Sequence, residues 1–206
     1  MNKIYVIGIG PGHRDYLLPI AEKHIKNSDI LIGGGRNLQS FPDYKGLKVT
    51  ITKELATIVE LMKGERVTKK IALILSGDTG FYSMLNYMKK HFTNEELEVI
   101  PGISSFQYLF AKMKEPWQQT TLMSVHGRQD NYIEALQKQG QVALLTDSTY
   151  GPEAIAKELL LKGYGGVALI VGENLSYEEE RITIGSPEEI ILAAPYEMSV
   201  VVIKNG

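Results

Sequence analysis

The stretch "YVIGIGPGHRD", residues 5–15, passes from an apolar run to three glycines and a proline, then to polar side chains. A strand that ends this way leads into a loop whose backbone approaches a ligand closely, because glycine carries no Cβ to hold the ligand off. Two more stretches have the same form. "IALIL" (71–75) runs into Ser76-Gly-Asp-Thr-Gly-Phe-Tyr-Ser83, and "LEVI" (97–100) runs into Pro101-Gly-Ile-Ser-Ser105. Their hydroxyls, and the carboxylate of Asp78, are groups that hydrogen-bond the polar atoms of a small molecule. Ligands of open α/β sheets lie outside the carboxyl ends of the strands, so the three loops are expected to converge on one cleft. Taken singly, each also reads as a tight strand-to-helix turn, and Asp78 as a helix cap.

The glycine loop does not match a dinucleotide site. Gly8 and Gly10 fit the first two positions of that fingerprint, but His13 stands at the third and the extra glycine is Gly12. Pro11 lacks the N–H that would face a pyrophosphate. The second strand ends in Gly33, where an acid would be needed for the ribose, and no Gly-Lys-Ser/Thr follows the glycines. NAD and Walker-type nucleotide binding are therefore disfavoured. Two arginines are candidate anion ligands: Arg36, after Gly33-Gly34-Gly35, and Arg128, which closes "SVHGR" (124–128). A guanidinium holds a carboxylate through two parallel bonds. His13 and Arg14 are weaker candidates. His126 is the best candidate for a general base, with a structural or substrate-positioning role as the alternative. The four histidines have no metal-ligand spacing, and no metal site is expected.

Elements that position these loops are legible around them. Strands are expected at 3–9, 29–32, 71–75, 97–100, 122–126, 142–146, 167–171, 181–184 and 198–203. Leu55, Ile58, Val59 and Met62 recur at helical spacing, as do Ile155, Leu159 and Leu160. Ser186-Pro-Glu-Glu189 and Gly151-Pro-Glu153 mark helix starts. The alternation predicts an α/β fold of two α/β domains with mixed, largely parallel sheets. The polar, proline-bearing stretch 112–121 is the expected linker, giving domains at 1–113 and 118–206, and "ENLSYEEERITIG" suggests an antiparallel element. With 206 residues, 44% apolar, a net charge of −2 and no cysteine, the chain reads as a cytoplasmic globular protein. Nucleic-acid binding and membrane insertion are not expected, nor is a signal peptide.

The loop set resembles the tetrapyrrole methylase family. "GIGPG" (8–12), "SGDTGFYS" (76–83) and "IPGISSF" (100–106) match in the first half; "SVHGR" and "VGENLSYEEERI" (171–182) extend the match through the second. The resemblance implies S-adenosylmethionine as cofactor, S-adenosylhomocysteine as product, and an active-site cleft between the two domains. It places Pro11, Gly77, Asp78, Phe81, Ser104 and Ser105 against the cofactor from the first half, and Thr146, Glu173, Asn174 and Leu175 from the second. Arg36, Arg128 and His126 would face a carboxylate-rich corrinoid tetrapyrrole. Within the family, "DILIGGGRNL" with "SVHGR" is most similar to the members that methylate carbon 5 of a corrin precursor. Another corrin precursor, uroporphyrinogen or diphthine as substrate, and a non-catalytic ligand-binding module, stand as alternatives. Some relatives carry a second domain that methylates carbon 15 and decarboxylates. This chain is expected to lack it and to act with a separate enzyme. Relatives are commonly homodimers, which is the expected state here. One departure is Gly77-Asp78-Thr79, where the family usually has Gly-Asp-Pro; a threonine keeps the turn possible but less rigid.

Overall fold

Four of the apolar runs of the first half, with one edge strand the runs did not announce, form a single parallel sheet. The computed structural model describes residues 1–125, 127 and 131–206. In order come β1 (Ile4–Gly8), α1 (Pro19–Lys26), β2 (Ile30–Gly33), α2 (Gly35–Gln39), β3 (Leu47–Thr50), α3 (Leu55–Glu65), β4 (Ile71–Leu75), α4 (Leu85–Met88) and β5 (Leu97–Ile100). The sheet order is β3-β2-β4-β1-β5. Alternate residues of each run serve opposite faces. Ile4, Val6, Ile30, Ile32, Ile71 and Leu73 pack with Ile58, Val59, Met62 and Met88 of α3 and α4. Ile7, Leu31, Ala72 and Ile74 pack with Ala21 and Ile25 of α1 and Leu38 of α2. Both faces are covered, so these strands read as continuous apolar runs rather than as alternating ones.

The register places the loops. Gly8 lies opposite Leu75, and Ile7 opposite both Ile74 and Ile100. Three neighbouring parallel strands therefore end level with one another, and the loops after β4, β1 and β5 must leave side by side.

The second half opens with α5 (Ser105–Met113) and continues through β6 (Thr121–Ser124), α6 (Tyr132–Gln139), β7 (Gln141–Leu145), α7 (Pro152–Leu161), β8 (Ala168–Glu173), β9 (Arg181–Gly185), α8 (Pro187–Leu192) and β10 (Ser199–Lys204). Its sheet is mixed, in the order β6-β7-β10-β8-β9. The β8–β9 pair is the antiparallel element suggested by "ENLSYEEERITIG". Ser186 caps α8 in the expected manner: its hydroxyl accepts from the Glu189 N–H, and the Glu189 carboxylate accepts from the Ser186 N–H. Leu136, Leu144, Ile155, Leu159, Val171, Ile190 and Val201 form the core on one face. On the other, Leu109 of α5 sits against Gly172, where a Cβ would come within 2.9 Å of its Cδ1.

Contacts divide the chain into Met1–Ser104 and Ser105–Gly206. Helix α5 thus groups with the second unit, whereas the sequence puts it in the first. Its apolar residues announce burial without saying against which sheet. No helix of the described residues is long and apolar enough to cross a membrane.

Candidate functional site

Backbone hydrogen bonds join the first two loops. Gly10 and Gly77 form a two-residue bridge, with Gly77 N–H donating to the Gly10 carbonyl at 2.8 Å and Gly10 N–H to the Gly77 carbonyl at 3.2 Å. Both have positive φ, 82° and 69°, a conformation that favours glycine. The third loop closes on this pair. A Cβ at Gly8 would stand 2.7 Å from the Gly102 nitrogen and 2.7 Å from the Gly77 oxygen. The three backbones are in contact because no side chain separates them.

Asp78 fastens the junction. One carboxylate oxygen accepts from the Gly80 N–H at 2.7 Å, the other from the Gly102 N–H at 3.1 Å, 24 residues away. An ionised carboxylate has about four acceptor positions, and these two bonds occupy one on each oxygen. Asp78 is thus first a clasp between two loops, a role the sequence reading of it as a ligand acceptor or helix cap does not contain. Thr79 is buried, and its carbonyl accepts from the Ser83 hydroxyl. The turn that lacks the family's proline is held by that bond. Pro11 and Ser104 are buried, Phe81 is half-buried and packs edge-on against Tyr82 with centroids 4.8 Å apart. Tyr82 itself has φ 48°, a left-handed backbone rare outside glycine and concentrated at functional sites. Arg36 lies exposed on α2, just beyond the carboxyl end of β2. Arg14 is 3.3 Å from Glu22, and the His13 ring accepts from the Asp15 N–H; both are engaged locally.

In the second unit the candidates gather at one end of the sheet. The Thr146 hydroxyl donates to the Ser199 carbonyl at 2.7 Å, and Ser199 lies opposite Glu173 in the β10–β8 register. Thr146, Ser199 and Glu173 therefore stand in a row across β7, β10 and β8. Ser199 was not foreseen, since nothing in "EMSVVV" distinguishes it from any strand-opening serine. Glu173 is buried and doubly held: Arg181 Nε donates to one oxygen at 2.6 Å and the Glu197 N–H to the other at 2.5 Å. Its side chain is committed to these two bonds, and its backbone lies between Ser199 of β10 and Arg181 of β9 in the sheet. The Arg181 guanidinium also donates to the Pro195 carbonyl at 3.0 Å and lies over the Tyr196 ring, 5.1 Å from its centroid. Burial pushes the Tyr196 phenol up from its ordinary value, against the opposing pull of Arg181. Asn174 donates its amide to Glu197 at 2.7 Å, and Leu175 is buried against Gly172. Ser105 opens α5, half-buried. His126 and Arg128 lie outside the described residues. Between them, the Gly127 N–H donates to Asp147 at 2.7 Å, two residues past the end of β7.

Residues 3–191 match the family model of the tetrapyrrole (corrin/porphyrin) methylases. The cobalt-precorrin-7 C(5)-methyltransferase of Salmonella typhimurium is 37% identical over 198 residues, covering 96% of each chain. A precorrin-6Y C(5,15)-methyltransferase [decarboxylating] of Sinorhizobium is 26% identical, covering 97% of this chain but 48% of its own. Among solved structures, the uroporphyrin-III C-methyl transferase of Thermus thermophilus complexed with S-adenosyl homocysteine superimposes with a TM-score of 0.80. It is 19% identical and covers 98% of this chain and 97% of its own, a likeness of fold.

Proposed function

Because the chain belongs to the tetrapyrrole methylase family, we propose that it transfers a methyl group from S-adenosylmethionine to carbon 5 of cobalt-precorrin-7, giving cobalt-precorrin-8 in cobalamin biosynthesis. The observation that carries the substrate is the 37% identity with the Salmonella C(5)-methyltransferase along 96% of both chains.

The loops offer what such a cofactor requires. We assign Pro11 and Phe81 to the purine, Phe81 through its half-buried ring, and bare backbone at Gly77 lets flat groups approach. Ser104, Ser105 and Thr146 supply hydroxyls, while Asp78 keeps acceptor positions for ribose hydroxyls or an ammonium group. In the second unit we assign Glu173, Asn174 and Leu175 to the same cofactor.

When bound, S-adenosylmethionine supplies a methyl group on a positively charged sulfur, already activated for in-line displacement by an electron-rich carbon. The protein then needs no nucleophile of its own. Its work is to hold the tetrapyrrole carbon in line and exclude competing orientations, which is worth effective molarities on the order of 10⁵–10⁸ M. The clasped loops of the first unit suit that task, since rigid loops hold a bound group with little loss of geometry. Arg36 binds peripheral carboxylates of the tetrapyrrole, joined by Arg128 and His126. His126 is the side chain we assign to any proton removal. The enzyme works as a cytoplasmic homodimer, and carbon 15 is methylated and decarboxylated by a separate enzyme.

The test is a calorimetric titration with S-adenosylhomocysteine, with NAD as a parallel control, followed by incubation with the cobalt tetrapyrrole and mass spectrometry. One-to-one binding of S-adenosylhomocysteine, none of NAD, and a product heavier by one methyl are expected. Heat from NAD and none from S-adenosylhomocysteine would refute the cofactor; binding without a methylated product would refute the substrate.

A further inference from the structure

The turn that follows β8 has a backbone that needs support. Asn174 (φ 46°) and Ser176 (φ 72°) both lie in the left-handed region, which residues other than glycine adopt rarely and at a cost. Such a conformation persists only where surrounding contacts over-determine it. Two supports are backbone bonds: Asn174 N–H to the Met198 carbonyl at 2.9 Å, and Tyr177 N–H to the Asn174 carbonyl at 3.0 Å. Another comes from a side chain. Ser176 N–H donates to Glu180 Oε2 at 2.7 Å, while Glu180 Oε1 lies 2.8 Å from Lys112 Nζ on α5. That ammonium is 5.3 Å from the centre of the Tyr108 ring, and Tyr108 is buried.

Glu180 therefore links the turn to a helix that is fixed by buried aromatic packing. The groups facing it are the Lys112 ammonium, the Tyr108 hydroxyl and the Ser176 N–H. Burial works against its charge, but these three outweigh burial and hold the carboxyl below its ordinary value. Burial, reinforced by Glu180, in turn pushes the Tyr108 phenol up to about 12. At 18% exposure of its side chain, Glu180 is less screened than a carboxylate on open surface.

We propose that Glu180 is a positioning residue for the cofactor, fixing the Asn174–Tyr177 turn through the Ser176 N–H with Lys112 as its anchor on α5. The proposal rests on the assignment of Glu173, Asn174 and Leu175 to S-adenosylmethionine made above. Glu180 acts through the backbone of the turn, not by reaching the reacting atoms.

The test compares S-adenosylhomocysteine binding by calorimetry in the wild type, Glu180→Ala and Glu180→Gln, with hydrogen exchange of residues 172–178 measured in the wild type with and without the ligand. Glu180→Ala is expected to bind about tenfold more weakly, the loss of one charge-assisted bond that sets the turn. Glu180→Gln keeps an oxygen to accept from Ser176 and should stay within about threefold of wild type. In turnover, the KM for S-adenosylmethionine rises in Glu180→Ala, whereas kcat at saturating cofactor and the KM for the tetrapyrrole stay within about twofold; a merely structural residue would not split them. Ligand protection of 172–178 with unchanged binding in Glu180→Ala overturns the proposal and leaves the assignment of the turn standing. No protection of 172–178 overturns the assignment and the proposal together. Should Glu180→Ala fail to fold, Lys112→Met decides: weaker binding supports the anchor, and wild-type binding overturns it.

Discussion

Replacing Gly8 by alanine tests the loop junction with a single methyl group. Gly8 ends β1, which lies between β4 and β5 in the parallel sheet, and its φ is not in the left-handed region, so backbone strain plays no part. The new Cβ would stand 2.7 Å from the Gly102 nitrogen, 2.7 Å from the Gly77 oxygen and 2.9 Å from the Gly102 Cα. Ordinary contacts of this kind start near 3.4 Å, so something must give by about 0.7 Å, and every atom in the way is backbone. Overpacking of this sort costs about 3 kcal/mol, the upper part of its usual range. The lower entropy of the unfolded alanine chain returns about 0.5–1 kcal/mol. A net loss of about 2–2.5 kcal/mol corresponds to a fall in melting temperature of roughly 4–10 °C for a chain of this size. Because the shift separates the loops proposed to hold the cofactor, S-adenosylhomocysteine binding should weaken about tenfold or more. The control is Gly64→Ala, on the exposed side of α3 with no atom within 4 Å of the new Cβ. That change should raise stability by about 0.5–1 kcal/mol and leave binding alone. Differential scanning calorimetry and titration calorimetry on both variants provide the readout. A Gly8→Ala protein that melts and binds like the wild type would show that the three loops are not in contact, and the reasoning from them would fail.

Asp78→Ala removes the acceptor of the Gly80 and Gly102 N–H groups, and a loss of about 2–4 kcal/mol is expected by urea unfolding, with weaker S-adenosylhomocysteine binding. Asp78→Asn, which keeps one acceptor oxygen, should lose less on both counts. Glu180 has its carboxyl held below its ordinary value of 4.5 in the folded protein, so its ionised form contributes stability that is complete above that value and disappears as pH falls through the lower folded one. The urea midpoints of wild type and Glu180→Gln should therefore differ at about pH 7 and draw together as pH falls below the ordinary carboxyl value and through the lower folded one; a gap that does not shrink on acidification would refute the ionic contribution. Ser186→Ala removes one half of the α8 capping box and should cost about 1 kcal/mol by thermal unfolding without touching S-adenosylhomocysteine binding.

Where the chain was legible, burial had left a local mark. β4 is apolar from Ile71 to Leu75 because helices cover both of its faces, and Ser186-Pro-Glu-Glu189 announces α8 because a cap is built from adjacent residues. β3 gave no such mark: Leu47–Thr50 is an edge strand with Leu47 55% exposed, held by pairing to β2 on one side alone. Helix α4, only Leu85–Met88, is too short for a period to show.

The composition and order of the loops after β1, β4 and β5 were in the sequence, and they were enough to exclude a dinucleotide fingerprint and to suggest the family. That part is local chemistry, a matter of which residues stand next to a strand end. The partners of the key side chains were not local. Asp78 meets a backbone N–H 24 residues on, Thr146 meets Ser199, and Glu180 meets Lys112 on a helix whose grouping with the second unit no periodicity reveals. The sequence by itself determined the alternation of strands and helices and the kind of residue at each strand end. Only the tertiary structure decided which oxygens are already engaged, because strand order and register bring together groups that the chain keeps far apart.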